Sequence, residues 1–178
     1  MPDAIRHQLQ LLLTGYGYNL YEDKNRTRAD DQLVRAQAAG ALGEAANGLR
    51  ALRTAYSRRF VPPPTREQPS PPPERLAALG EMAQLTQRLS DLEVAVRSMA
   101  VPTQDRVWER FRREQTLLSE LLLQDYNLIA PCFALRDLIL TLTPEAWGPE
   151  AAAAIAQQAQ QIERAIRARS GFLQIHMQ

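Results

Sequence analysis

Between residues 82 and 99 the apolar side chains Met82, Leu85, Leu89, Leu92, Val96 and Met99 fall three or four positions apart. That period brings side chains back to one face of an α-helix on every turn, and it does not fit the two-residue alternation of a strand. The spacing predicts a helix from Glu74 to about Ala100, ending before Pro102 because proline disfavours helical backbone in the residue that precedes it. Leu42, Ala45, Leu49, Leu52 and Tyr56 repeat the period in a helix expected from about Arg28 to Arg59. Near the start of that helix Ala36, Gly40 and Gly43 leave room for a second helix to approach closely. Each glycine costs about 1 kcal/mol in helix propensity relative to alanine.

The rest of the chain reads the same way. Ile5, Leu9, Leu12, Tyr16 and Leu20 predict a first helix from about Asp3 to at least Thr14. Trp108, Phe111, Leu118, Leu122 and Ile129 mark one face, interrupted by Gln115, of a helix capped by Thr103 and kinked or restarted at Pro131. Phe133, Leu135, Leu138, Ile139 and Leu142 form a short segment that is apolar nearly all round and therefore expected to be buried. Thr143 and Pro144 supply another cap and first-turn pair. Ile155, Ala159, Ile162 and Ile166 define a last helix over residues 149–169, with Ser170 and Gly171 as its stop and a glutamine- and arginine-rich opposite face. No convincing alternating strand appears. The expected fold is all-α, a helical bundle of about four long helices plus shorter ones.

Residues 61–73 contain seven prolines, a density that removes backbone donors and favours polyproline geometry. The stretch reads as a connection within one domain of residues 1–178. At about 3.1 Å per residue it reaches roughly 40 Å, the length of a 27-residue helix at about 1.5 Å per residue. An ordered crossover strap, anchored at its middle by Arg66 and Glu67, would return the chain to the far end of the bundle and make the flanking helices parallel. A flexible linker and a docking ligand for a partner are the other meanings of such a stretch.

A single domain of 178 residues buries roughly 70% of the surface its unfolded chain exposes, enough for a core without staples. Cys132 is the only cysteine, which excludes an intramolecular disulfide and suits a reducing compartment. The longest apolar run near the start, Leu11–Leu13, is far too short for a secretory leader or a membrane span. A cytoplasmic location is expected, with no membrane partner. Net charge is +1, so the global basic signature of many nucleic-acid-binding domains is absent and nucleic acid is not an expected partner.

One segment concentrates polar chemistry. Tyr16 and Tyr18 lie in a glycine-flanked aromatic run, followed by Asn25, Arg26, Arg28, Asp30 and Asp31. Aromatic faces, guanidinium forks able to grip a carboxylate or phosphate, and acids able to orient those forks could together hold a small anion. A structural reading competes, since Thr27 and Asp30 have the spacing of a helix N-cap and its third-position acidic partner.

Other catalytic patterns are incomplete. The glycines of Gly15–Tyr18 lack the Lys-Ser/Thr of a phosphate-cradling loop. His7 and His176 sit at opposite ends of the chain, outside any Glu-x-x-His pairing, and one cysteine does not make a zinc site, so no metal or cofactor is expected. Cys132 follows Pro131 among apolar neighbours, which favours an inert buried thiol. Asp105 and Glu109 share a helix face, but Glu109 also stands four residues before Arg113, as in a solvated ion pair. Arg50, Arg53, Arg58 and Arg59 end one helix and Arg164, Arg167 and Arg169 end another, where cations suit the helix dipole. The reading that follows is a non-catalytic interaction or assembly protein, with a protein partner or a homodimer formed along the long stripes. The alternative is an enzyme or small-anion sensor built on Tyr16, Tyr18, Asn25, Arg26, Arg28, Asp30 and Asp31.

Overall fold

The computed structural model describes residues 2–13, 27–61, 63, 66 and 70–176. Among the described residues six α-helices run in the order α1 (Pro2–Leu13), α2 (Thr27–Phe60), α3 (Pro73–Arg97), α4 (Asp105–Arg113), α5 (Gln115–Thr141) and α6 (Pro149–His176), with a 3₁₀ turn at Pro144–Ala146. Among the described residues there is no strand. The expected bundle is present, and α2, α3, α5 and α6 are its long members, each of 25 residues or more. Local chemistry agrees with several of the boundaries. Pro73 opens α3, where its missing N–H costs nothing, with Glu74 in the first turn and Arg97 in the last to complement the helix dipole.

Pairings between helices fix their directions. Arg50 of α2 reaches Ser90 of α3 at 3.1 Å, and Arg75 at the start of α3 reaches the Tyr56 hydroxyl near the end of α2 at 3.0 Å. These two helices are therefore antiparallel. The Arg75 guanidinium also lies 4.7 Å from the centre of the Phe60 ring, so the proline-rich segment joins neighbouring helix ends. The expected crossover, with parallel flanking helices, is corrected: the reach of a polyproline segment is an upper bound, and packing uses little of it. Arg66, proposed as an anchor, is exposed, and Glu67 lies outside the described residues.

Glu44 with Arg136 (3.6 Å) and, further along both helices, Gly48 against Leu140 set α2 parallel to α5, and Arg88 with Glu163 (2.9 Å) sets α3 beside α6. The four long helices alternate in direction along the chain, and α4 carries the connection from α3 to α5 across one end of the bundle. There the Trp108 indole N–H donates to the Pro102 carbonyl at 2.9 Å, and Phe111 meets Phe172 and His176 of α6.

Both long stripes are consumed inside one chain. Leu42, Ala45, Leu49, Leu52 and Tyr56 are buried, as are Met82, Leu85, Leu89, Leu92, Val96 and Met99. Neither is left over to form a two-fold interface. Burying each large aliphatic side chain contributes about 1.5–3 kcal/mol. The close helix approaches fall later along α2 than Ala36 and Gly40 suggested. A Cβ at Gly40 would meet nothing within 4 Å, whereas at Gly48 it would lie 3.0 Å from a Leu140 methyl and 3.2 Å from Ile139 of α5. A Cβ at Gly43 would likewise lie 3.2 Å from a Glu93 carboxylate oxygen.

Three helix boundaries differ from expectation. Pro131 sits inside α5 without ending it. Its lost donor and ring clash cost about 3 kcal/mol, and buried Leu128, Ile129, Cys132 and Leu135 on either side hold the helix through it. The break comes instead at Glu114, whose backbone is extended (φ −96°, ψ 101°), within the polar run from Arg112 to Thr116 that offers no apolar anchor. At the far end, α6 continues through Ser170 and Gly171 to His176, because Leu173 is buried and Phe172 packs on Phe111. Gln104, and not Thr103, precedes α4, and no side chain caps it.

Candidate functional site

Polar groups from three helices converge in the core at the end of the bundle that α4 covers. Asp31 belongs to the first turns of α2, Asp125 to the middle of α5 and Arg169 to the last turns of α6, and all three side chains are 0% exposed. One edge of the Arg169 guanidinium serves both acids: Nε donates to Asp125 Oδ1 and Nη2 to Asp31 Oδ1, each at 2.7 Å. The second oxygen of Asp31 accepts from Arg35 Nε at 3.0 Å. Arg35 reaches outward to the Arg97 carbonyl at 3.3 Å and so links the cluster to the end of α3. Asp30 is buried beside it in sequence.

Each member of the cluster occupies a stripe position. Arg169 continues Ile155, Ala159, Ile162 and Ile166 and is followed by Leu173; Asp125 falls between Leu122 and Ile129; Asp31 precedes Val34 and Ala38. Burial follows from that register, because a residue three or four positions beyond a core residue faces the same neighbours. Extending the stripes by one step would have found Arg169 and Asp125, which sequence reasoning missed. With Arg164 and Arg167, Arg169 reads in the sequence as a cation at a helix end, but the helix continues for another two turns, to His176.

The tyrosine, arginine and aspartate site predicted from sequence divides. Asp30 and Asp31 enter the core. Arg28 stays at the surface, where Nη2 lies 2.9 Å from Asp105 Oδ1 and also donates to the Thr103 carbonyl. Its fork is therefore held by the chain's own acceptors. Tyr16, Tyr18, Asn25 and Arg26 lie outside the described residues. At the buried cluster the Nε–Nη2 edge of Arg169 is occupied by the chain's own carboxylates.

The remaining chemical candidates have structural roles. The Cys132 thiol is buried, donates to the Leu128 carbonyl at 3.1 Å, and is pushed up to about 12 by desolvation, so the thiolate that nucleophilic chemistry needs is not formed near neutral pH. Glu109 pairs with Arg113 at 2.7 Å and Asp105 with Arg28. Among the described residues no group of three or more His, Cys, Asp or Glu side chains is arranged to hold a metal ion. None of the helices described is long and apolar enough to cross a membrane. Comparison of the chain with protein-family models, with curated proteins and with solved structures finds no match. The fold and the cluster therefore define a class by architecture alone, an all-α bundle with a buried Asp–Arg–Asp centre.

Proposed function

We propose that the protein is a non-catalytic interaction or assembly bundle of the cytoplasm, whose buried charges fix one arrangement of helices so that its outer faces form a defined binding surface. The observation that carries this reading is the complete burial of Asp31, Asp125 and Arg169 against one another. A catalytic group must reach a substrate, and these three have no exposed surface. Buried ion pairs add little net stability compared with apolar packing, but they penalise any alternative packing that separates them. Such a device suits a scaffold that has to present one shape. The expected partner is a protein or a second copy of this chain. With both long stripes packed internally, the partner surface must use other residues, and Val94 and Leu140 are more than half exposed.

A thermal-shift screen with metabolites, paired with light scattering during gel filtration at several micromolar concentrations, tests the reading. It expects no metabolite whose stabilisation depends on this cluster, and a mass above that of the monomer if the assembly is homomeric. A strictly monomeric mass overturns the homomeric form. A small anion whose stabilisation disappears in Arg26→Ala and Arg28→Ala, with the apo fold intact, overturns the non-catalytic reading in favour of a ligand site around residues 16–31.

A further inference from the structure

Four arginines crowd the later turns of α2, and the structure separates them into two pairs. Arg50 donates to Asn47 Oδ1 at 2.5 Å and to Ser90 Oγ at 3.1 Å, while Arg59 Nε lies 2.7 Å from Glu145 Oε1. Both are therefore held by the chain. Arg53 and Arg58 take no carboxylate among the described residues, and neither donates to a carbonyl at the helix end. These two line a single cleft of about 350 Å³ with Thr54, Ser57 and Leu79. Among the described residues no acidic side chain lines it.

We infer that this cleft binds the phosphoryl group of a small phosphate ester or diphosphate. Positions 53, 54, 57 and 58 lie on adjacent turns of one helix face, so the two guanidinium forks flank the hydroxyl-bearing residues. The Thr54 hydroxyl already donates to the Arg50 carbonyl at 3.0 Å, which leaves two guanidinium groups and the Ser57 hydroxyl as the donor set. Planar forks match phosphate oxygens in pairs, and a hydroxyl adds a neutral donor between them. Leu79 of α3 supplies an apolar wall for the body of the ester. The volume lies at the small end of ligand sites, which limits the ligand to a headgroup and a short body.

The helix dipole works against this site. Carbonyl ends at the C-terminus of α2 carry partial negative charge, so the backbone gives an anion no help and the guanidinium groups supply the attraction. Binding should accordingly be weakened strongly by salt. This inference does not depend on the assembly reading, which mass measurements test separately.

Titration calorimetry of the full chain with inorganic pyrophosphate, at low and high salt, tests it. Wild type should bind at low salt. Arg53→Gln and Arg58→Gln should each weaken binding by about tenfold or more, the loss expected on removing a charged donor. Both side chains are exposed, and unchanged circular dichroism would show that the variants are folded. Arg106→Gln, which removes an exposed arginine from α4, should bind as wild type does. No binding by wild type overturns the inference. So does an equal loss in Arg106→Gln, which would indicate attraction to overall charge only.

Discussion

Two arginines, one at each end of the bundle, join the same kinds of elements by different chemistry. Arg169 is fully buried and lies between two carboxylates at 2.7 Å, whereas Arg75 is half-buried, stacks over the Phe60 ring at 4.7 Å and donates to the Tyr56 hydroxyl. Hydration decides which partner suffices. A guanidinium that keeps part of its water can rest on an aromatic face for about 0.5–1 kcal/mol, but one stripped of water needs opposite charge and hydrogen bonds on its edge. The α4-covered end is consequently the more specific of the two, and the end carrying Arg75 is the more forgiving.

The largest expected effect is at Arg169. Replacing it with methionine leaves Asp31 and Asp125 buried without their cation and should cost about 3–5 kcal/mol in denaturant unfolding. A cost near that of a surface substitution would break the contrast. The combined variant Asp31→Leu, Asp125→Leu, Arg169→Met sharpens it, since removing all three charges should recover much of the lost stability. Leu89→Ala, at a fully buried position of α3, gives an apolar reference of roughly 2–5 kcal/mol by the same measurement.

Arg75→Gln should cost no more than about 1 kcal/mol, because only a partly hydrated stacking contact and one hydrogen bond are lost. Titration of Cys132 should leave stability independent of pH near neutrality and lower it in alkali. Burial raises its folded pKa from 9.0 to about 12, so the fold favours the neutral thiol. That contribution is fully present below about pH 9 and is lost as pH rises toward 12. Urea melts across this range should show the decline in wild type and a smaller one in Cys132→Ala. Rapid alkylation of Cys132 in the native protein at neutral pH would contradict the buried assignment.

The periodic stripes made the bundle legible from sequence, because each apolar residue three or four positions from the last reports a helix and the side of it that is buried. Connections were less legible. The span of residues 61–73 gave only the distance such a segment could cover, and the antiparallel packing of α2 on α3 was chosen by side-chain complementarity along both helices. Pro131 was misread because a local rule about backbone donors was outweighed by tertiary burial. Of the candidate site, Asp30 and Asp31 were legible from their polar company in sequence, though the structure uses Asp31 through a partner 138 residues away. A charged side chain on an apolar stripe is easily taken for the end of the stripe, and that is how Arg169 escaped notice.

The diagonal course of the chain through α4 has a kinetic consequence. It divides the bundle into two helical hairpins, α2 with α3 and α5 with α6, each closed by a short connection and able to form from near-neighbour contacts. Asp31 belongs to the first hairpin, and Asp125 and Arg169 to the second, so the Asp31–Arg169 bond closes only when the hairpins dock. Interactions absent from the transition state act on escape from the native basin more than on entry to it. If docking follows hairpin formation, Asp31→Asn, which removes the charge on the bond between hairpins and leaves the Asp125–Arg169 bond within the second, should leave the refolding rate nearly unchanged and accelerate unfolding, making that bond a latch on the lifetime of the assembled bundle.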